Sequence, residues 1–203
     1  MLKIGMVAVL FLLGIRAVVG QVPNIRKIDF KNFLYAWDGS EDTVPMTWRW
    51  LTTTPNLKFQ VVNGTHHFYR RGESQAERER APFISVDSIV YGDLDGDGVE
   101  EAAVTFNYST GGTANWDYLY VYKMVEGQPV LMGRMEAGSR GSGGLATVSI
   151  KDERLMVEFA DPERRIGDCC SEGYIRVHYR LTAKGFVEDG SRERGDLRSG
   201  RTS

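Results

Sequence analysis

Trp116-Asp117-Tyr118-Leu119-Tyr120-Val121-Tyr122-Lys123-Met124 is the stretch that decides the fold class. Residues two apart share a face of an extended chain, so Trp116, Tyr118, Tyr120 and Tyr122 project to one side and Leu119 and Val121 to the other. Residues 84–91, 102–108 and 130–135 carry the same signature, each bounded by Gly, Pro, Asp or Asn. Downstream, residues 145–150 and 155–159 make a hairpin about Lys151-Asp152-Glu153. Residues 174–181 alternate most cleanly, with Ile175, Val177, Tyr179 and Leu181 on a dry face and Arg176, His178 and Arg180 on a wet one. Upstream, 57–62 and 65–69 flank Asn63-Gly64, the strongest short hairpin signal, because both turn residues need positive φ. Residues 70–81 are mostly charged without an apolar stripe, and read as a solvated loop or short exposed helix ended by Pro82. About ten short strands with little helix predict an all-β fold: an antiparallel sandwich, open barrel or propeller-like meander. No repeat of fixed period is visible, which argues against a full propeller.

The ends set the compartment and the domain limits. Met1-Leu2-Lys3 is followed by apolar residues 4–15, and Val18 and Gly20 supply small residues before a cut between Gly20 and Gln21. That is the pattern of a secretory signal, and the apolar run is too short for a bilayer-spanning helix, which needs about 20 residues. The expectation is a signal over 1–20, a single β domain over 21–188 and an unstructured polar tail over 189–203, in a periplasmic or secreted protein. The tail contains Arg194-Gly195-Asp196, read as a chance match to the tripeptide that integrins recognise. Cleavage removes Lys3 and Arg16 and takes the formal charge from −2 to −4. Mild acidity with mixed signs gives no footprint for nucleic acid, and no membrane span is expected after cleavage. Phe30, Phe33, Tyr35, Trp37, Trp48 and Trp50 crowd the start of the domain and are read as core in preference to a binding platform for sugars or peptides.

Chemistry concentrates in Gly92-Asp93-Leu94-Asp95-Gly96-Asp97-Gly98-Val99-Glu100-Glu101. Calcium is a hard cation that takes 6–8 oxygens at about 2.3–2.6 Å. Carboxylates at 93, 95 and 97 can turn inward together only if the backbone curls, which Gly96 and Gly98 permit. The Val99 carbonyl and the Glu101 carboxylate then complete the protein's share of the shell. Clustered carboxylates repel, by about 4 kcal/mol for a pair about 4 Å apart at an effective dielectric near 20, and a divalent cation reverses that sign. An EF-hand is excluded, because the twelfth residue from Asp93 is Val104, inside a strand-like run, where that loop requires Glu and a following helix.

Tyr91-Gly92-Asp93-Leu94-Asp95-Gly96-Asp97-Gly98-Val99-Glu100-Glu101-Ala102-Ala103-Val104 resembles the FG-GAP/VCBS type of repeat, whose calcium loops lie between strands in integrin α-subunit propellers. The resemblance covers 85–125 in one copy. It implies Asp93, Asp95, Asp97 and Glu101 as side-chain ligands and Val99 as a carbonyl ligand. The family more often has Asp at the last position, and Glu100 takes the closing place if the register differs. The wider chain resembles uncharacterised exported bacterial proteins that pair such a loop with Ser109-Thr110-Gly111-Gly112-Thr113-Ala114-Asn115 and Gly167-Asp168-Cys169-Cys170, a family without an assigned activity.

Cys169 and Cys170 are the only cysteines. Export favours their oxidation, although adjacent Cα atoms about 3.8 Å apart fall below the ordinary disulfide range, so a vicinal bridge would be strained and reducible. Arg164, Arg165 and Asp168 beside them read as a solvated charged loop or an anion-binding patch, and 138–144 as a flexible Gly/Ser loop. The functional expectation is an exported, calcium-stabilised β module with a non-enzymatic binding or structural role and a protein or glycan partner in the envelope. The competing readings are an extracytoplasmic hydrolase with a structural calcium, and a thiol-redox protein using Cys169 and Cys170.

Overall fold

The computed structural model describes residues 24–37, 57–69, 72–166, 170–182 and 185–197. The expected signal over 1–20, together with Trp48, Trp50, Asp168 and Cys169, lies outside them. Two short 3-10 turns, Ile25–Lys27 and Phe30–Asn32, open the described chain, each begun by a side-chain cap (Asn24 and Asp29). The strands follow as β1 (Leu34–Trp37), β2 (Leu57–Gln60), β3 (Thr65–His67), β4 (Phe83–Gly92), β5 (Glu101–Ser109), β6 (Asn115–Val125) and β7 (Gln128–Ser139). The second half supplies β8 (Leu145–Lys151), β9 (Arg154–Ala160), β10 (Arg165–Ile166), β11 (Cys170–Ser171), β12 (Gly173–Thr182), β13 (Gly185–Glu188) and β14 (Glu193–Asp196). The charged segment before Pro82 forms one helical turn, α1 (Gln75–Arg78), started by a capping box between Ser74 and Glu77.

The architecture is all-β, antiparallel and sandwich-like. A five-stranded meander, β3-β4-β5-β6-β7, forms the central sheet, and β13-β12-β9-β8 with β14 on β12 forms a second. The central sheet is covered on both faces because its strands are apolar on both. Val104, Phe106, Tyr108, Tyr118, Tyr120 and Tyr122 pack against Ile25, Phe30, Tyr35 and Phe59 from the N-terminal turns and the β1–β2 pair. Tyr35 and Phe106 meet edge to face at 4.6 Å, and the Tyr35 hydroxyl donates to the Phe30 carbonyl at 2.6 Å. Of the crowded aromatics, Phe30 and Tyr35 are thus core. On the opposite face Ala103, Leu119, Val121 and Ala137 pack against Val148, Leu155 and Val157 of the second sheet, with Tyr179, Leu181 and Phe186 at the margin. Each completely buried Leu or Val there contributes on the order of 1.5–3 kcal/mol.

Two sequence expectations need correction. The Asn63-Gly64 turn is present, with φ of 52° and 83°, but only the Val62–Thr65 bridge joins its arms. β2 instead pairs with β1 and β3 with β4, and the turn docks on the N-terminal layer through Gly64 N–H to the Lys31 carbonyl at 2.8 Å. The tail is the second case. Glu193–Asp196 pairs along residues 173–176 of β12, so ordered structure continues to residue 197. Its lack of apolar residues is offset by backbone pairing and by ion pairs of Arg194 with Glu163 and of Arg164 with Asp196. Arg194-Gly195-Asp196 is therefore a strand with both charges engaged.

Candidate metal centre

The loop between β4 and β5 is built by local chemistry. Gly96 and Gly98 take φ of 77° and 81°, a region that disfavours any side chain. Those turns aim amides at Asp93, whose Oδ1 accepts from Gly96 N–H at 2.7 Å and whose Oδ2 accepts from Gly98 N–H at 2.9 Å. Asp97 Oδ1 accepts from Val99 N–H at 2.9 Å. Leu94, next to Asp93, points the other way and is buried in the inter-sheet core. The loop is thereby held at one point by an apolar anchor while its carboxylates face the opposite direction.

Glu101, the first residue of β5, has a side chain that is 0 % exposed. Its Oε2 accepts from Leu94 N–H at 2.8 Å, while Oε1 has no hydrogen-bond partner. Burial raises the Glu101 pKa, the Leu94 amide pulls it down, and Asp95 pushes it up again. One oxygen each from Asp93, Asp95 and Glu101 lies within 4.8 Å of the other two. Three hard donors at that spacing, one of them buried and otherwise unsatisfied, fit an oxygen-seeking divalent cation. The choice between the two closing residues is also visible: Glu100 turns outward and accepts from Arg26 Nε at 2.6 Å and Nη2 at 2.8 Å, with the same guanidinium 4.6 Å over the Tyr91 ring. Asp97 stands outside the group of three, and Val99 contributes its N–H to Asp97.

Sequence reasoning missed Lys123. It lies one step beyond the Ala102–Tyr122 pair, which sets it across the β5–β6 ladder from Glu101. Its ammonium donates to Asp95 Oδ2 and, at 2.7 Å, to Asp97 Oδ2, and sits 3.8 Å from Glu101 Oε1. Burial lowers the Lys123 pKa, but the two carboxylate bonds outweigh it and hold the group above its ordinary range. Asp97 is held below its usual value, first by Lys123 and then by the Val99 amide. The signal available beforehand was a lone cation ending an aromatic strand.

The other candidates separate. Of Cys170 the backbone is described, paired with Ile166 across β10–β11. Arg164 is engaged by Gly195 O and Asp196, and Arg165 Nη1 donates to Gly141 O at 2.6 Å. The 138–144 segment is ordered by β7 and a 3-10 turn, and Ser139 N–H donates to Ser142 Oγ at 2.9 Å. Asp117 fastens its far end, accepting from Leu145 N–H at 2.8 Å and from Asn107 Nδ2 at 2.9 Å. A cleft of about 530 Å³ beside this segment is lined by Thr113, Asn115, Trp116, Ser139 and Arg165 together with Ala114 and Gly141. Among the described residues no helix is long and apolar enough to cross a membrane. No protein-family model, curated protein or solved structure matches the chain.

Proposed function

We propose that this chain is a calcium-stabilised β module that works outside the cytoplasmic membrane through binding or architecture, with a protein or glycan partner in the envelope, and without catalysis. The observation that carries the reading is the buried Glu101 Oε1, which lacks a hydrogen-bond donor and faces the oxygens of Asp93 and Asp95. An orphaned carboxylate oxygen at a strand end is an expense that a bound cation would offset. The expected ligands are Asp93, Asp95 and Glu101 from the converging group, with Asp97 and the Val99 carbonyl joining from the same bend. The loop follows the FG-GAP/VCBS pattern of alternating acids and glycines, and the N-terminal sequence supports export to a calcium-rich compartment. In such compartments sites with a Kd of about 10⁻⁴–10⁻³ M are substantially filled.

Metal-stripped protein titrated with calcium chloride in a calorimeter, with magnesium chloride as comparison, tests the proposal. One calcium per chain, with a melting temperature that rises as calcium is added, is the expected result. Absence of binding heat together with identical melting in calcium and in chelator would remove it.

A further inference from the structure

We propose that Lys123 is a tethered cation that holds the Asp93–Glu101 loop when calcium is absent, so that calcium enters by exchange with its ammonium and with an affinity that Lys123 sets. The inference rests on the reading of this loop as a calcium site. It concerns what occupies the site otherwise, and which residue tunes it.

Placement is the first argument. Lys123 continues the face of β6 that carries Leu119 and Val121, both buried between the sheets. Its side chain is only 17 % exposed. Burying an ammonium is unfavourable unless it is paired and hydrogen-bonded. The partners that compensate it are Asp95 and Asp97, two of the carboxylates that the loop's sequence pattern assigns to a metal.

The second argument is the incompleteness of the match. An ammonium has three donors and no reach beyond ordinary hydrogen-bond length. Here it satisfies Asp95 and Asp97 but stays 3.8 Å from Glu101 Oε1, too far for a hydrogen bond. The Glu101 oxygen is left as the one buried acceptor of the cluster without a donor. A divalent ion collects 6–8 oxygens at about 2.3–2.6 Å, and so can take Asp95 and Glu101 together. Lysine therefore relieves the repulsion among the acids without completing the site. It is a stand-in that a better cation displaces.

Exclusion follows from charge. A divalent ion and an ammonium bound to the same Asp95 oxygen would stand a few ångströms apart and repel. Occupancy by one requires withdrawal of the other. Breaking two charge-assisted bonds is part of the work of binding calcium, and each such bond is worth roughly a ten-fold change in an equilibrium constant. Calcium affinity is thus set below what the acid count alone would give, and the metal-free loop stays in place instead of springing open.

The test compares wild type with Lys123→Met, which keeps the apolar stem and removes the charge. Calcium titration of metal-stripped protein should give the variant a Kd about 10- to 100-fold lower than wild type. Equal affinities for the two proteins would overturn the inference while leaving the calcium reading intact. Binding by the variant but not by wild type would uphold Lys123 as the loop's own cation and sink the calcium reading for the native chain. Binding by neither would sink both. If the variant folds only with calcium, the stand-in role is upheld. If it folds in neither condition, the wild-type protein decides: reductive methylation at Lys123, followed by mass spectrometry, should speed up several-fold when calcium replaces chelator. An unchanged rate in protein shown to bind calcium would overturn the exchange.

Discussion

Glu101→Gln separates a ligand from a structural hydrogen-bond acceptor, because the two roles predict opposite signs in two buffers. The substitution preserves volume and leaves an oxygen for Leu94 N–H, which Glu101 satisfies at 2.8 Å. What it removes is a buried negative charge whose second oxygen has no donor and which faces Asp95 and Asp97. In chelator the variant should melt at or slightly above wild type, since relief of an unsatisfied buried charge is worth on the order of 1 kcal/mol, partly offset by a weaker attraction to Lys123. In calcium the order should reverse. A ligand present at 100 times its Kd stabilises by about 2.7 kcal/mol, and for a domain of this size each kcal/mol moves Tm by about 2–4 °C. Wild type should therefore gain about 5–10 °C, and the variant, missing the one fully buried ligand, only a small part of it. Differential scanning calorimetry in matched calcium and chelator buffers reads both signs in one experiment. Equal calcium-induced shifts for the two proteins would refute the ligand role. A variant that melts several degrees lower in both buffers would show a structural acceptor and nothing more.

Two further substitutions probe other parts of the molecule. Gly111 has φ of 80°, and a Cβ there would stand 1.9 Å from the Arg80 carbonyl, so Gly111→Ala must push the β5–β6 loop off the chain leaving α1. Gly127, with the same φ and open space around it, is the control: its Ala variant should lose about 1 kcal/mol by urea unfolding, Gly111→Ala clearly more, and matching midpoints would dismiss the contact. His66 has its pKa lowered from 6.5, first by burial, against the Nδ1–H bond to the Gln60 carbonyl, with His67 adding to the shift. Its folded pKa lies below its unfolded one, so well above 6.5 both states are neutral and the group adds no pH dependence. As pH falls through that value the unfolded chain takes up a proton the native state refuses, and stability drops until the folded pKa is passed. His66→Gln should lose less stability than wild type between pH 7.5 and pH 5.5, about one unit either side of the ordinary imidazole value. Equal losses in urea midpoints would show that His66 is not the group responsible.

The strands were legible where burial is written in period two. β4, β5, β6, β8, β9 and β12 appear within a residue or so of the runs that announced them, and the two faces of β6 divide between the two cores as the alternation of tyrosines with Leu119 and Val121 requires. β14 was illegible because Glu-Arg-Gly-Asp carries no apolar residue. It is held by the open edge of β12 and by Glu163 and Arg164, some thirty residues away in the chain. The Asn63-Gly64 turn shows a different limit. Turn geometry is local, but ladder pairing depends on which other edges are free, and β1 and β4 took the two arms. In the site, alternation requires that only one of Glu100 and Glu101 face inward. Which one does is decided by Arg26 and the Leu94 amide, and only the tertiary fold brings those within reach. Lys123 was hidden for the same reason, since its meeting with the loop depends on the register of β5 against β6.

The position of the loop explains why a cation there would act on the whole domain. A calcium turn projecting into solvent could fill and empty with little effect on folding. This one exposes its tip, Asp95 to Gly98, but is anchored on either side of it. Leu94 is buried among the inter-sheet core residues, so the loop cannot unfold without exposing apolar surface on both sheets. At its start Gly92 is so close to the β8–β9 hairpin that a Cβ would come within 2.7 Å of Ile150, and a Cβ on Gly96 would stand 3.0 Å from the Glu153 carboxyl carbon. At its end Glu100 holds Arg26, which belongs to the first turn of the N-terminal layer and lies over Tyr91. The same bend thus touches the N-terminal layer, the central sheet and the second sheet. Fixing its carboxylates, whether by an ammonium or by a divalent ion, couples elements whose sequence separation would otherwise let them loosen independently. Calcium binding should consequently raise the cooperative unfolding midpoint and not merely protect the loop.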